Sequence, residues 1–251
     1  MRGMLQQFEW VFQPWTSWTN TQTVGFIVFG IIFQRSIDVT ATIIFRRCKQ
    51  MPRYSREKEL RVIDKAHIAF NNLFTVGFLH YLLRYLYTDD NVKWDIYEAS
   101  PINSFACWIF IAVAYDFYYY VWHTMLHKST FLFANVHQYH HREVSPFRGS
   151  LDALNASPIE YAVTACFIPA GVWTWIYLFG ECHVGAVMSF SMVNALLSAA
   201  NHSRNDVRFW GFDSRHHDIH HKRGGLGGNY AQFLAPIDML FGTYIKPESV
   251  E

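Results

Sequence analysis

Residues 161–180 carry no charge, and a second uncharged run follows at 184–200 after the link Gly180-Glu181-Cys182-His183. About twenty apolar residues in a helix cross a bilayer core, where a backbone must satisfy its own polar groups. So short a link makes the two runs an antiparallel helical hairpin. Three further apolar blocks precede them at 23–45, 66–87 and 102–122, the last opened by Pro101. The expected fold class is all-α: an integral membrane bundle of four to five transmembrane helices with a cytosolic histidine-rich helical cap. The 251 residues read as one membrane domain, with membrane helices and a basic loop in 1–100 and a histidine-bearing region in 101–251. Only 16% of residues are charged, and the mean hydropathy of +0.02 is a balance of apolar blocks against polar, histidine-rich segments.

Charge orients the bundle. Residues 46–65 hold eight Lys/Arg against three acidic residues, which places this loop in the cytoplasm; an ordinary solvated loop is compatible with that. The acidic stretch 88–100 fits the far side. The second block then leaves the cytoplasmic side, the third returns, and the hairpin goes out and comes back. Residues 123–141 and 202–221 therefore share one side, whether or not 23–45 spans. That first block contains Arg35 and Asp38, able to pair on one helix face; a transmembrane helix is expected, an interfacial segment the alternative. Trp10, Trp15 and Trp18 give residues 1–22 the aromatic character of a membrane interface, and no cleavable signal peptide is expected there. A net charge of +1 argues against a nucleic-acid partner. Cys48, Cys107, Cys166 and Cys182 are scattered, which suggests neither a disulfide framework nor a thiolate metal site.

The shared side collects the chemistry. His123-x-x-x-His127 is followed by His137-x-x-His140-His141 and later by His217-x-x-His220-His221. Positions i and i+4 share a helix face, so His123 and His127 can grip one metal. The adjacent pairs splay by roughly 100° and aim at two neighbouring ions. Eight imidazoles exceed one tetrahedral zinc; two ions with about four nitrogens each and open positions suit iron or another nitrogen-loving transition metal. His202 sits beside the site, equally a ligand or a bystander; His216 suits an outer or solvent role. His67 and His80 lack partners at ligand spacing and read as core or interfacial residues.

Metal-bound histidines commonly donate their other N–H to a carboxylate. Asp116 lies two turns before His123 in a membrane helix, where a carboxylate is costly and functional by default. Glu160, opening the fourth apolar block, and Asp218 are further candidates, each alternatively a solvated helix-end residue. Tyr119 and Tyr120 share the face between Asp116 and His123, where packing is the first expectation. The glycine-rich stretch 224–229 lacks the context of a nucleotide-binding loop and reads as a flexible turn. A metal pair at the end of a helix bundle suits a lipid-dissolved substrate and O2-dependent attack on an unactivated C–H bond. A membrane metal transporter would want ligands along the helices themselves, which 161–180 and 184–200 lack. A metal-dependent hydrolase would carry mixed ligands and a clear general base.

From Asp116 to Tyr244 the sequence resembles the fatty acid hydroxylase superfamily, which includes sterol desaturases, sterol C4-methyl oxidases, cholesterol 25-hydroxylase and alkylglycerol monooxygenase. The resemblance rests on Asp116-Phe117-Tyr118-Tyr119-Tyr120-Val121-Trp122-His123 leading to His127, and on both His-x-x-His-His motifs. Asn201-His202-Ser203, Asn229-Tyr230 and Asp238-Met239-Leu240-Phe241-Gly242-Thr243 extend it. It implies a multi-pass endoplasmic-reticulum enzyme with its active site facing the cytosol. It also implies two iron ions (zinc as isolated), and O2 with electrons from an external cytochrome b5 or NAD(P)H reductase. The implied reaction is hydroxylation of a sterol or long-chain lipid, or desaturation by the same site. The chain has no His-Pro-Gly-Gly haem signature, so electrons are expected from a separate protein docking near loop 46–65. The sequence departs from the family pattern at Ile237, where Trp is common, and at Ala231, where Gly is. No His precedes Pro158. These departures are expected at the substrate end.

Overall fold

A computed structural model describes residues 6–247 except 57, 96 and 99, with the side chains of 6 and 7 also undescribed. The first residues of the aromatic segment 1–22 and the terminus at Glu251 lie outside the described residues. The described fold is all-α, built on α1 (Asn20–Phe45), α2 (Val62–Thr88), α3 (Pro101–Lys128), α4 (Pro158–Ala165), α5 (Phe167–Phe179), α6 (Val184–Asn201), α7 (Ser214–Arg223) and α8 (Ala235–Leu240). Among the described residues, strands are limited to two-residue pairs.

Among the described residues, four helices are long and apolar enough to cross a membrane: Asn20–Phe45, Pro101–Lys128, Pro158–Phe179 and Val184–Asn201. Their outward residues are apolar, as Val24, Ile32 and Val39 of α1 and Trp173 and Tyr177 of α5 show. That is the arrangement for a lipid surround, where the apolar face turns outward. The second apolar block is not among the four. Asn71, Asn72, His67 and His80 dilute its apolar run, although α2 has 27 residues, or about 40 Å of rise. Its buried polar group is spent inside the protein, since Asn71 Nδ2 donates to Leu154 O and Ala156 O at 2.9 Å each.

Local chemistry sets the helix ends. Thr19 and Gln22 form a reciprocal cap at the start of α1. Ser100 caps α3 with Pro101 in its first turn. Between α4 and α5 the helix breaks at Cys166, whose N–H reaches Ala162 O and Val163 O; Pro169 lacks an N–H and its ring crowds the preceding turn. Gly180 (φ 94°) ends α5. The hairpin link is present, but α5 packs mainly against α3, and α6 packs against α3 and α1 alike. At Gly30 α1 meets α2 closely enough that a Cβ would stand 2.7 Å from Val76.

α3 is the central element. Cys107, Ile111, Tyr115, Tyr119 and Leu126 bury one stripe, and Asp116, Tyr120 and His123 widen it. At one end of the bundle, Val92–Lys93 pairs in parallel with Cys182–His183. At the other end the basic loop, most of its residues still exposed, folds over the histidine turns. Met51 N–H donates to Arg204 O at 2.8 Å and Lys58 N–H to Glu143 Oε2 at 3.2 Å. Buried Asp64 pairs with Arg61 and Arg142.

Candidate metal centre

Nine histidines from four parts of the chain meet at that end. α3 carries His123 and His127 on its last turns. A wide turn of π-helix, Phe133–His137, delivers His137, and the tight turn His140–Arg142 presents His140 and His141. α6 ends beside His202. Asp213, accepting from Arg215 N–H at 3.0 Å, starts α7 with His217, His220 and His221.

The ring nitrogens fall into two groups: His123, His127, His137, His141 and His220; and His140, His202, His217 and His221. Each His-x-x-His-His motif keeps its i, i+4 pair in one group and sends its middle histidine to the other. His202 joins the second group. In the first, Nε2···Nε2 separations are 3.0 Å for His123–His137, His127–His137, His137–His141 and His141–His220. In the second they are 3.3 Å for His140–His202 and 3.0 Å for His202–His217. Nitrogens at right angles about a metal, each ~2.1 Å from it, stand ~3.0 Å apart. Protons could bridge such nitrogens only in pairs, whereas a cation serves all of them. The donor set therefore fits a transition metal in each group, and five imidazoles exceed a tetrahedral shell.

The outer nitrogens support the same reading. His123 Nδ1–H donates to Tyr230 O (2.7 Å), His220 to Gly228 O (2.8 Å), His221 to Glu143 O (3.1 Å) and His202 to Ser198 O (2.8 Å). His137 donates to Glu160 Oε1 at 2.8 Å. Each of these bonds places the ring proton on Nδ1 and frees the Nε2 lone pair. Burial, reinforced by neighbouring imidazoles, holds His137, His140, His141, His217 and His221 well below the usual imidazole range. Burial brings His220 to about 4. All six are neutral at pH 7.

The carboxylates divide differently from expectation. Glu160 meets a histidine, and its other oxygen has no hydrogen-bond partner among the described residues. Asp116 does not reach one. It accepts backbone N–H bonds from Gln232 (2.8 Å), Phe233 (3.0 Å) and Leu234 (2.7 Å) and anchors a loop. That loop, together with α3, takes the carboxylate out of competition for the histidines seven residues on. Asp238 grips the same loop through Tyr230 N–H (2.8 Å) and Ala231 N–H (2.9 Å). Asp218 pairs with buried Arg204 instead of a ring. The glycine-rich stretch is structural at its end rather than a mere flexible turn: Gly228 (φ 99°) supplies an acceptor, and Asn229 (φ 51°) bonds His216 O and Ile245 O. These backbone acceptors escaped the sequence because any residue supplies a carbonyl. His216 stays outside both groups, its ring against Tyr244. His67 packs edge-on to Tyr139 and His80 bonds Gln13 O.

A cavity of about 270 Å³ runs from His140, His202 and Glu160 between α1, α2, α3 and α6, lined by Phe33, Phe78, Tyr119, Ile168 and Met188. Ile237 and Ala231 are not in its wall. They pack with Tyr120 and Tyr230 in a separate apolar cluster.

Residues 108–243, more than half of the chain, match the family model described as fatty acid hydroxylase. The chain belongs to the fatty acid hydroxylase family. It is 29% identical over 166 residues to cholesterol 25-hydroxylase-like protein 2 of Danio rerio, covering 61% of this chain and 56% of that protein. It is 26% identical over 168 residues to sphingolipid C4-hydroxylase sur2 of Schizosaccharomyces pombe, covering 61% and 55%. The chain thus spans about half the length of these relatives. With very-long-chain aldehyde decarbonylase GL1-9 of Oryza sativa it shares 20% identity over 255 residues, 92% of each chain. No solved structure matches it.

Proposed function

We propose that this chain is an O2-dependent dimetal oxygenase, with two iron ions, that hydroxylates a C–H bond of a sterol or long-chain lipid. The observation that carries the reading is the contact between the histidine groups and the cavity: His140 and His202 of the second group line it, and so does Glu160, which bonds His137 of the first. His123, His127, His137, His141 and His220 would hold one ion, and His140, His202, His217 and His221 the other. When bound, the metal pair supplies O2 activation. The apolar cavity walls hold an alkyl segment and exclude water from it. Tyr119 lies edge-on to His123, with ring centroids 5.0 Å apart, and closes the wall between substrate and ligand ring. Glu160 keeps the His137 proton on Nδ1.

The rest of the reading follows the family. Electrons come from a cytochrome b5 or NAD(P)H reductase docking by the basic loop, which covers the histidine turns. The protein resides in the endoplasmic-reticulum membrane with this end in the cytosol, so a tag after Glu251 is expected to be accessible there; lumenal protection would overturn the orientation. A second reading, action on a long-chain aldehyde, is favoured by the alignment of nearly the whole chain with the rice decarbonylase.

The test is untargeted lipid mass spectrometry under 18O2 of cells expressing the chain or its His220→Ala variant. A lipid gaining one labelled oxygen only with the parent supports hydroxylation. Loss of two hydrogens would replace it with desaturation, and loss of one carbon from an aldehyde with decarbonylation. Full metal content in His220→Ala would overturn the shared site.

A further inference from the structure

Two of the scattered cysteines meet in the fold. Cys107 Sγ, on α3, lies 3.3 Å from Cys182 Sγ, in the link between α5 and α6, and the two residues are 0% and 1% exposed. The backbone around Cys182 is held against the start of α3. Cys182 N–H donates to Asn91 O at 3.0 Å, and Asn103 Nδ2 and Trp175 Nε1 both donate to Glu181 O, at 3.2 and 2.6 Å. A disulfide needs sulfurs about 2.05 Å apart, so only a small side-chain movement separates the pair from bonding. Cys107 also stands about 24 Å along α3 from His123, which puts thiols and histidines at opposite ends of one membrane helix.

We propose that Cys107 and Cys182 form a disulfide that staples α3 to the α5–α6 link on the lumenal side. This rests on the orientation proposed above, which puts the histidine end in the reducing cytosol and the cysteine end toward an oxidising compartment. The oxidant is a disulfide-carrying oxidoreductase of that compartment, acting during folding before the pair is buried. One protein thiolate attacks the carrier disulfide and expels a carrier thiolate, forming a mixed disulfide. The second protein thiolate attacks the protein sulfur of that bond and expels the other carrier thiolate. Two S–H bonds become one S–S bond, and two electrons and two protons pass to the carrier. The staple locks the far end of the helix that carries His123 and His127.

The test uses the full chain in membranes. It is denatured with an alkylating maleimide and without reductant, digested and read by mass spectrometry. Cys48 and exposed Cys166 serve as internal controls that take the label. The expected result is a Cys107–Cys182 linked peptide two hydrogens lighter than the separate peptides, with both sites labelled only after reduction. Labelling of Cys107 and Cys182 without reduction overturns the proposal. Metal content and 18O incorporation are measured on the same preparation. Free thiols in an active, metal-replete enzyme therefore overturn the staple alone, and a linked peptide in an inactive chain leaves it standing.

Discussion

Replacing Glu160 separates support of a ligand from contact with substrate. Glu160 Oε1 accepts the His137 Nδ1 proton at 2.8 Å, with His137 at 0% and Glu160 at 6% exposure, so water is a poor substitute for the carboxylate. Glu160→Gln keeps an oxygen acceptor and loses the charge; Glu160→Ala leaves a buried N–H without any acceptor, which costs about 1–3 kcal/mol. Losing such an outer partner commonly weakens metal binding ~10–100-fold, or about 1.4–2.7 kcal/mol. The expectation is about 10-fold for Glu160→Gln and about 100-fold for Glu160→Ala. The assay is chelator competition on detergent-solubilised protein, with turnover measured in parallel. A Glu160→Ala enzyme that holds both metals like the parent would refute the reasoning. If such an enzyme also lost turnover, Glu160 would act on substrate from the cavity wall and not through His137.

Four other outcomes follow from the same contacts. Asp116→Ala leaves three buried N–H groups unpaired, so it is expected to lower stability by more than about 3 kcal/mol and cut the yield of folded protein; a stable, metal-replete but inactive variant would point to direct chemistry. His123→Ala and His217→Ala are each expected to reduce metal content by about one ion per chain, since they belong to different groups; unchanged content in both, by elemental mass spectrometry, would contradict the grouping. In the metal-free protein His220 is depressed to about 4, so its stabilising contribution is complete above about 6.5 and is lost as pH falls toward 4, worth about 3 kcal/mol in all. Thermal melts of chelated protein that do not change between pH 7 and pH 4 would contradict this. Gly228→Ala forces a side chain at φ 99° with its Cβ 2.3 Å from Ile245 Cδ1; displacement of Gly228 O from His220 is expected to weaken metal binding about 10-fold, and parent-like affinity would count against it.

Sequence pattern alone marked the apolar blocks, of which 66–87 falls short of a membrane span, put the histidines at one end, and split each adjacent histidine pair between two groups. Helical geometry is local, and a one-residue step of about 100° turns His140 from His141 and His220 from His221 wherever the turn is placed. The tertiary structure decided what holds each ring. Tyr230, Gly228 and Glu143 act through backbone carbonyls, which leave no trace in residue type. It also decided between two similar-looking carboxylates. Asp116 shares the α3 face of His123 but is claimed by three amides of a loop more than a hundred residues away, whereas Glu160 arrives from another helix to meet His137. The cavity and the Cys107–Cys182 contact likewise exist only where separate helices converge. Periodicity is a property of one helix, while partnership depends on long-range packing that no local pattern encodes.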